Sequence, residues 1–244
     1  MILHVRSFYS VNEAKTLKES IESIRSDWRF YPDRKLGATN AIYVYGRSLF
    51  RHLVENKFDS WKSRDSYLKD TFTPEIEYLD VLRSKMSATL GGGVEYFSRL
   101  AHPGFQIVTE GTPRIWHYDD EKSRYPYDVE FPEYRGFDGF FDDLYTFTIM
   151  LSSGKFTYNY YPQTLSKYKS QPEYYCSKHH GLLGDECDCD LKTYETIEYE
   201  QGDMIIAKDR YLHRVGSSEY TSDRERITMQ GQIAKKNNTY YLYW

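Results

Sequence analysis

Apolar positions near the start of the chain recur at intervals of three and four. Ala14, Leu17, Ile21, Ile24 and Trp28 form one stripe, the spacing of a helix with a single buried side. Ahead of it, Ser10 and Glu13 stand where a capping box puts them, the serine as N-cap and the glutamate reaching back from the third helical position. Leu3, Val5 and Phe8 predict a short strand or staple feeding that helix. Residues 47–57 and 75–100 also read as helical, the second run broken by Gly91-Gly92-Gly93. The triple glycine lacks the Lys-Ser/Thr of a P-loop and the spacing of a dinucleotide fingerprint, so it reads as a helix break.

From Phe105 onward the period changes to two. Strands are predicted over Phe105–Glu110, Arg114–Asp119, Leu144–Ser152, Lys155–Tyr161, Thr193–Tyr199, Asp203–Lys208, Tyr211–Val215, Arg226–Ala234 and Thr239–Trp244. Many short strands after a helical first part predict a mainly β protein, a sandwich or jelly roll with helices packed outside one sheet. Long connections near 120–142 and 162–192 interrupt the series, and connections of that length inside a compact domain are usually functional. With no repeat and no linker-like run, residues 1–244 read as a single domain: a helical part over 1–103, then the strand-rich part over 104–244.

Composition narrows the function classes. At 244 residues the chain can bury a sizeable core without staples, and 32 Lys and Arg against 36 Asp and Glu give a net charge of −4. That balance supplies no electrostatic case for nucleic acid. No stretch approaches the roughly 18 uninterrupted apolar residues of a membrane span, and the opening residues lack the pattern of a secretory signal. Three cysteines make no disulfide framework and fit a reducing compartment, so the expected location is cytoplasmic. The 25 tyrosines favour strands and half-buried surfaces.

The chemistry sits on the strands. His117-Tyr118-Asp119 ends one of them, His213 follows the apolar run Met204-Ile205-Ile206-Ala207, and Arg226-Ile227-Thr228 opens another. Residues two apart on a strand share a face, so His117 and Asp119 can hold adjacent positions on one metal. His213 from a neighbouring strand completes two imidazoles and a carboxylate, the facial set of non-haem Fe(II) that leaves positions open. The same rule puts Arg226, Thr228 and Gln230 on one face of their strand and Ile227, Met229 and Ile233 on the other. A polar face turned inward needs a reason, and a dicarboxylate supplies one: a guanidinium pairs bidentately with a carboxylate and a hydroxyl adds a hydrogen bond.

These residues resemble a known family. His117-x-Asp119, the distal His213 after a strand preceded by Gly202-Asp203, and Arg226-Ile227-Thr228-Met229-Gln230-Gly231 look like the Fe(II)/2-oxoglutarate-dependent oxygenases, with the prolyl-hydroxylase-like branch the nearest. The likeness covers about residues 104–234, with a vaguer one over 1–30. It implies a double-stranded β-helix (jelly roll, cupin-like) with N-terminal helices packed on one sheet. It also implies Fe(II), 2-oxoglutarate and O2 as requirements, with succinate and CO2 as co-products. Carried over, His117, Asp119 and His213 bind the iron, and Arg226 takes the distal carboxylate of 2-oxoglutarate with help from Thr228. Arg224, on the same face, is the rival for that role; Arg226 is preferred because Arg-x-Thr matches the family's Arg-x-Ser/Thr. Trp116, Tyr118, Arg124, Tyr125 and Tyr127 are candidates for the substrate mouth.

The implied activity is a dioxygenase that hydroxylates or otherwise oxidises an unactivated C–H bond of a small molecule, such as an amino acid or a natural-product intermediate. The alternative substrate is a prolyl-type residue in a protein; the alternative from another class is a metal-binding jelly-roll module without catalysis. Nucleic-acid demethylation is disfavoured, because the Arg-x-Asn-x-Thr-x-Arg signature of that branch is missing. Halogenation is disfavoured because Asp119 is intact where a halogenase would carry a small residue. A second cluster, Cys176, His179, His180, Cys187 and Cys189, falls in the second long connection. It reads either as a structural zinc loop, as a solvated turn flanked by Asp185, Glu186, Asp188 and Asp190, or as redox or disulfide chemistry.

Overall fold

The structure, a computed structural model, describes residues 2–31, 42–45, 77–97, 102–109, 143–164, 194–208, 211–215 and 225–244. In chain order these form β1 (Ile2–Val5), α1 (Val11–Ser23), β2 (Arg29–Tyr31), β3 (Ile42–Tyr45), α2 (Leu79–Leu90), β4 (Gly93–Tyr96), β5 (Gly104–Thr109) and β6 (Asp143–Met150). Then come β7 (Lys155–Thr164), β8 (Glu195–Glu200), β9 (Met204–Lys208), β10 (Tyr211–Val215), β11 (Glu225–Lys236) and β12 (Thr239–Tyr243). The expected helix over 47–57, the expected strand Arg114–Asp119 and most of both long connections lie outside the described residues.

The strands make two sheets. The large one runs β1-β9-β6-β11-β5-β3-β2, with β12 added to β11 and β4 added to β12; the small one runs β10-β7-β8. β11 is the axis of the large sheet. β6 pairs along one side of it, while β5 takes Glu225–Gln230 and β12 takes Gln232–Lys236 on the other side. From β5 on, the chain passes between the sheets: β5 and β6 in the large one, β7 and β8 in the small one, β9 large, β10 small, β11 large. This mostly antiparallel alternation is the jelly roll expected from the sequence.

Side-chain alternation decides what each face of the large sheet meets. Phe105, Ile107, Phe147, Ile149, Met204, Ile206, Ile227, Met229 and Ile233 join one core with Ala14 and Ile21 of α1 and Leu82 and Met86 of α2. Each Ile, Leu, Met or Phe among them, fully buried, contributes about 1.5–3 kcal/mol of transfer free energy, so the helices are fixed by this face. The opposite face supplies Met150, Ile205 and Ala207, which pack with Phe156, Tyr158 and Tyr199 of the small sheet. The molecule is therefore layered helices, large sheet, small sheet.

The capping box forms as expected: Ser10 Oγ accepts from the Glu13 amide at 3.2 Å, and Glu13 Oε2 accepts from the Ser10 amide at 2.7 Å. The first 103 residues differ from the expected helical part, because they also provide β1 to β4. β2 and β3 are too short to display a period, and β4 is specified by its parallel pairing with β12 rather than by its own sequence. α1 also stops earlier than its stripe. After Ser23 the chain tightens into a 3-10 turn over Arg25–Asp27, and Trp28 stays in the core by donating its indole N–H to the Ile21 carbonyl at 3.0 Å. The glycine break ends α2 with Gly91 in the left-handed region, φ 69°, where a Cβ would be strained.

One junction fastens the N-terminal segment to the sheet. Gly202, at φ 90°, turns β8 into β9, and a Cβ there would overlap the Tyr9 carbonyl. That close approach lets the Tyr9 amide donate to the Gly202 carbonyl at 3.0 Å. The next carboxylate, Asp203, is only 8% exposed. It accepts from His4 Nε2 at 2.9 Å, from the Ser7 amide at 2.8 Å and from the Glu200 amide at 3.1 Å.

His102 stacks obliquely on Tyr96 at 4.9 Å between ring centres, and burial pushes its pKa below the ordinary histidine value. The folded chain thus takes up this proton less readily than the unfolded chain. Stability is full above the ordinary value of about 6.5 and falls as pH drops through it towards the lowered one, because the unfolded chain protonates first. Urea unfolding between pH 7.5 and 5, taken as about the relevant window, should show that loss in the wild type and a flatter profile in His102→Gln.

Candidate functional site

The inward faces of the two sheets carry the candidate residues that the structure describes. On β11, Ile227 and Met229 point at the helices, so Arg226 and Thr228 point at the small sheet. Both are buried, Arg226 at 6% exposure and Thr228 at 0%. Register places Thr228 between Gln106 of β5 and Met150 of β6, and Arg226 beside Val108. β6 stops at Met150, and a side chain completes the ladder: Ser152 Oγ accepts from the Ile227 amide at 2.8 Å and donates to the Glu225 carbonyl at 3.0 Å. Arg226 therefore stands on a rung closed from both flanks.

Across the gap, β10 holds His213 opposite Tyr160 of β7, and a register shift separates Tyr211 from His213. His213 is 6% exposed. Its ring lies on that of Tyr158, with centroids 5.1 Å apart and planes 18° from parallel. Tyr158 belongs to the cluster joining the two sheets, so the stacked imidazole is on the inward side as well. The flat contact fixes the plane of the ring, and a metal-binding imidazole needs its orientation held by its neighbours.

Two glutamines extend the polar patch. Gln230 Nε2 donates to Gln106 Oε1 at 2.9 Å and to Thr228 Oγ1 at 3.2 Å. The face assignment of Gln230 was readable from the period of β11. Gln106 and Tyr158 were not, because each is significant only through register with a distant strand.

The structure thus brings Arg226, Thr228 and His213 to the two facing surfaces of one interior. His117, Asp119 and Arg224 lie outside the described residues, as do the mouth candidates Trp116, Tyr118, Arg124, Tyr125 and Tyr127. The Cys176, His179, Cys187 and Cys189 cluster lies outside them too. Among the described residues no three metal-ligating side chains converge, and no helix is long and apolar enough to cross a membrane.

No family model matches the chain, and no curated protein does. Solved structures give loose likenesses. The non-heme alpha ketoglutarate dependent epimerase SnoN from nogalamycin biosynthesis is similar at 9% identity and a TM-score of 0.46, covering 96% of this chain and 80% of its own. A Pseudomonas putida prolyl-4-hydroxylase gives 12% and 0.42, over 97% and 92%. HygX from Streptomyces hygroscopicus, solved with nickel and 2-oxoglutarate, gives 12% and 0.45, over 95% and 82%. At these scores the likenesses carry no weight for the chemistry, which has to come from the chain's own residues.

Proposed function

We propose that this chain is a non-haem Fe(II)/2-oxoglutarate-dependent dioxygenase, with His117, Asp119 and His213 as iron ligands and Arg226 and Thr228 binding 2-oxoglutarate. The observation that carries the reading is the pairing of a buried guanidinium and a buried hydroxyl on one inward face with a buried imidazole on the facing sheet. A guanidinium is costly to bury, and a strand that turns one inward next to a hydroxyl suits a carboxylate ligand. A buried, ring-stacked imidazole suits a metal. The donors present therefore fit both groups. The reading requires the strand expected over Arg114–Asp119 to run beside β10, whose outer edge has no strand partner among the described residues.

When bound, Fe(II) and 2-oxoglutarate supply the activation of O2 and the oxidation of a C–H bond, with release of succinate and CO2. The protein's own share is geometric. Arg226 grips the distal carboxylate with a planar fork, and Thr228 donates to the same group, so the co-substrate is held in one orientation. Tyr158 holds the His213 plane. Met150, Phe156 and Tyr199, each at most 1% exposed, keep the neighbouring space dry, which strengthens every polar contact inside it.

A small-molecule substrate is preferred to a peptide because two long connections, near 120–142 and 162–192, interrupt the strand series in the sequence, and connections of that length inside a compact domain are usually functional inserts. The test is O2-dependent conversion of 2-oxoglutarate to succinate with Fe(II), read across pools of amino acids, natural-product intermediates and proline-containing peptides. Stimulation by a small molecule supports the reading, and stimulation by peptides alone replaces it with a peptidyl hydroxylase. A protein that binds Fe(II) and ignores 2-oxoglutarate is a metal-binding jelly-roll module instead.

A further inference from the structure

We propose that Gln106 belongs to the carboxylate-binding site and that Gln230 is a positioning residue, which turns the Gln106 amide and the Thr228 hydroxyl so that both offer donors to the anion held by Arg226. This rests on the reading of the interior as a 2-oxoglutarate site. The argument is a count of hydrogens. Gln230 Nε2 carries two, and the structure uses both, one on Gln106 Oε1 at 2.9 Å and one on Thr228 Oγ1 at 3.2 Å.

Each of those bonds fixes a neighbour. Because Gln106 accepts through its oxygen, its own nitrogen, with both hydrogens, is turned away from Gln230. Because Thr228 accepts at Oγ1, its single hydrogen has to leave in another direction. Its acceptor in the structure is the Gln106 carbonyl at 3.4 Å, a long contact that a better acceptor would replace.

What Gln106 and Thr228 have left to offer is therefore donors. Gln106 and Thr228 share a rung two residues along from that of Arg226 and on the same face, with Gln106 diagonal to the arginine and within reach of a long side chain. Thr228 is fully buried, while Gln106 and Gln230 are half-buried. A ligand rich in acceptors and poor in donors satisfies such a set. A carboxylate is that ligand, and an amine or a guanidinium would leave these donors unmet.

The direction of the network can be reversed by one substitution. Gln230→Glu can only accept, so it draws the Gln106 amide and the Thr228 hydrogen onto itself and away from the ligand. In an anaerobic titration of the Fe(II)-loaded protein with 2-oxoglutarate, followed by the visible charge-transfer band, this variant should need about 10-fold more 2-oxoglutarate for half-saturation. Gln230→Leu, which frees both neighbours without recapturing them, should need about 3-fold more, and Gln106→Leu, which removes two donors, about 5-fold more. Band position, Fe(II) affinity, thermal midpoint and the binding of 2-oxobutyrate, which lacks the distal carboxylate, should stay at wild-type values. A merely structural role would move these together.

Wild-type half-saturation in a folded Gln230→Glu overturns the proposal, and so does an unchanged value in Gln106→Leu if Gln230→Glu fails to fold. No band in the wild type overturns the oxygenase reading itself, and this inference with it. The two failures are thus told apart by the wild-type trace.

Discussion

Arg226→Ala is expected to weaken 2-oxoglutarate binding by about 100-fold, equivalent to ~2.8 kcal/mol, and to leave Fe(II) binding at its wild-type level. The size follows from what is removed. A planar fork that makes two parallel charge-assisted hydrogen bonds is replaced by a methyl group, and the ligand carboxylate is left beside the fully buried Thr228 without its counter-charge. Arg226→Lys should recover part of the loss and remain about 10-fold weak, since an ammonium supplies the charge without the fork. Direct calorimetric binding to the metal-loaded protein measures both. The same experiment on Arg224→Ala settles the rivalry between the two arginines: a large loss there, with Arg226→Ala unaffected, would move the carboxylate site by one turn of the strand's alternation.

The second large effect is on stability. Asp203→Ala should cost about 3 kcal/mol and lower the thermal midpoint by about 10 °C. The carboxylate is the common acceptor for His4, for the Ser7 amide and for the Glu200 amide. Truncation leaves a half-buried imidazole and two amides without it. The damage should be cooperative, because the same junction joins β1 and the entry to α1 to the turn that Gly202 makes before β9. Asp203→Asn, which keeps one acceptor but turns a donor towards His4 or Glu200, should fall between wild type and alanine. Thermal and urea unfolding of the three proteins provide the comparison.

What was legible in the sequence was local. The capping box, the strands from β5 to β12 and the division of β11 into an apolar and a polar face all follow from short-range pattern, and all are present in the structure. What escaped was set by partners far along the chain. Asp203 stood out only as the companion of Gly202; its role depends on His4, on a strand at the other end of the sequence. Gln106 acquires meaning by facing Thr228, and Tyr158 by lying under His213. Register is a property of two strands together, and a one-residue slip would turn every one of these side chains to the opposite face. The short strands β2 and β3 were invisible for a related reason, since three or four residues are too few to establish a period.

The most direct test of the central claim, that a metal and 2-oxoglutarate share the interior between the sheets, is an anaerobic titration of metal-free protein with Fe(II) and then 2-oxoglutarate. The account predicts a visible metal-to-ligand charge-transfer band in the wild type, its absence in His213→Ala and in His117→Ala, and a demand for far more 2-oxoglutarate in Arg226→Ala. Iron that binds the wild type and gives no band at any 2-oxoglutarate concentration would contradict it.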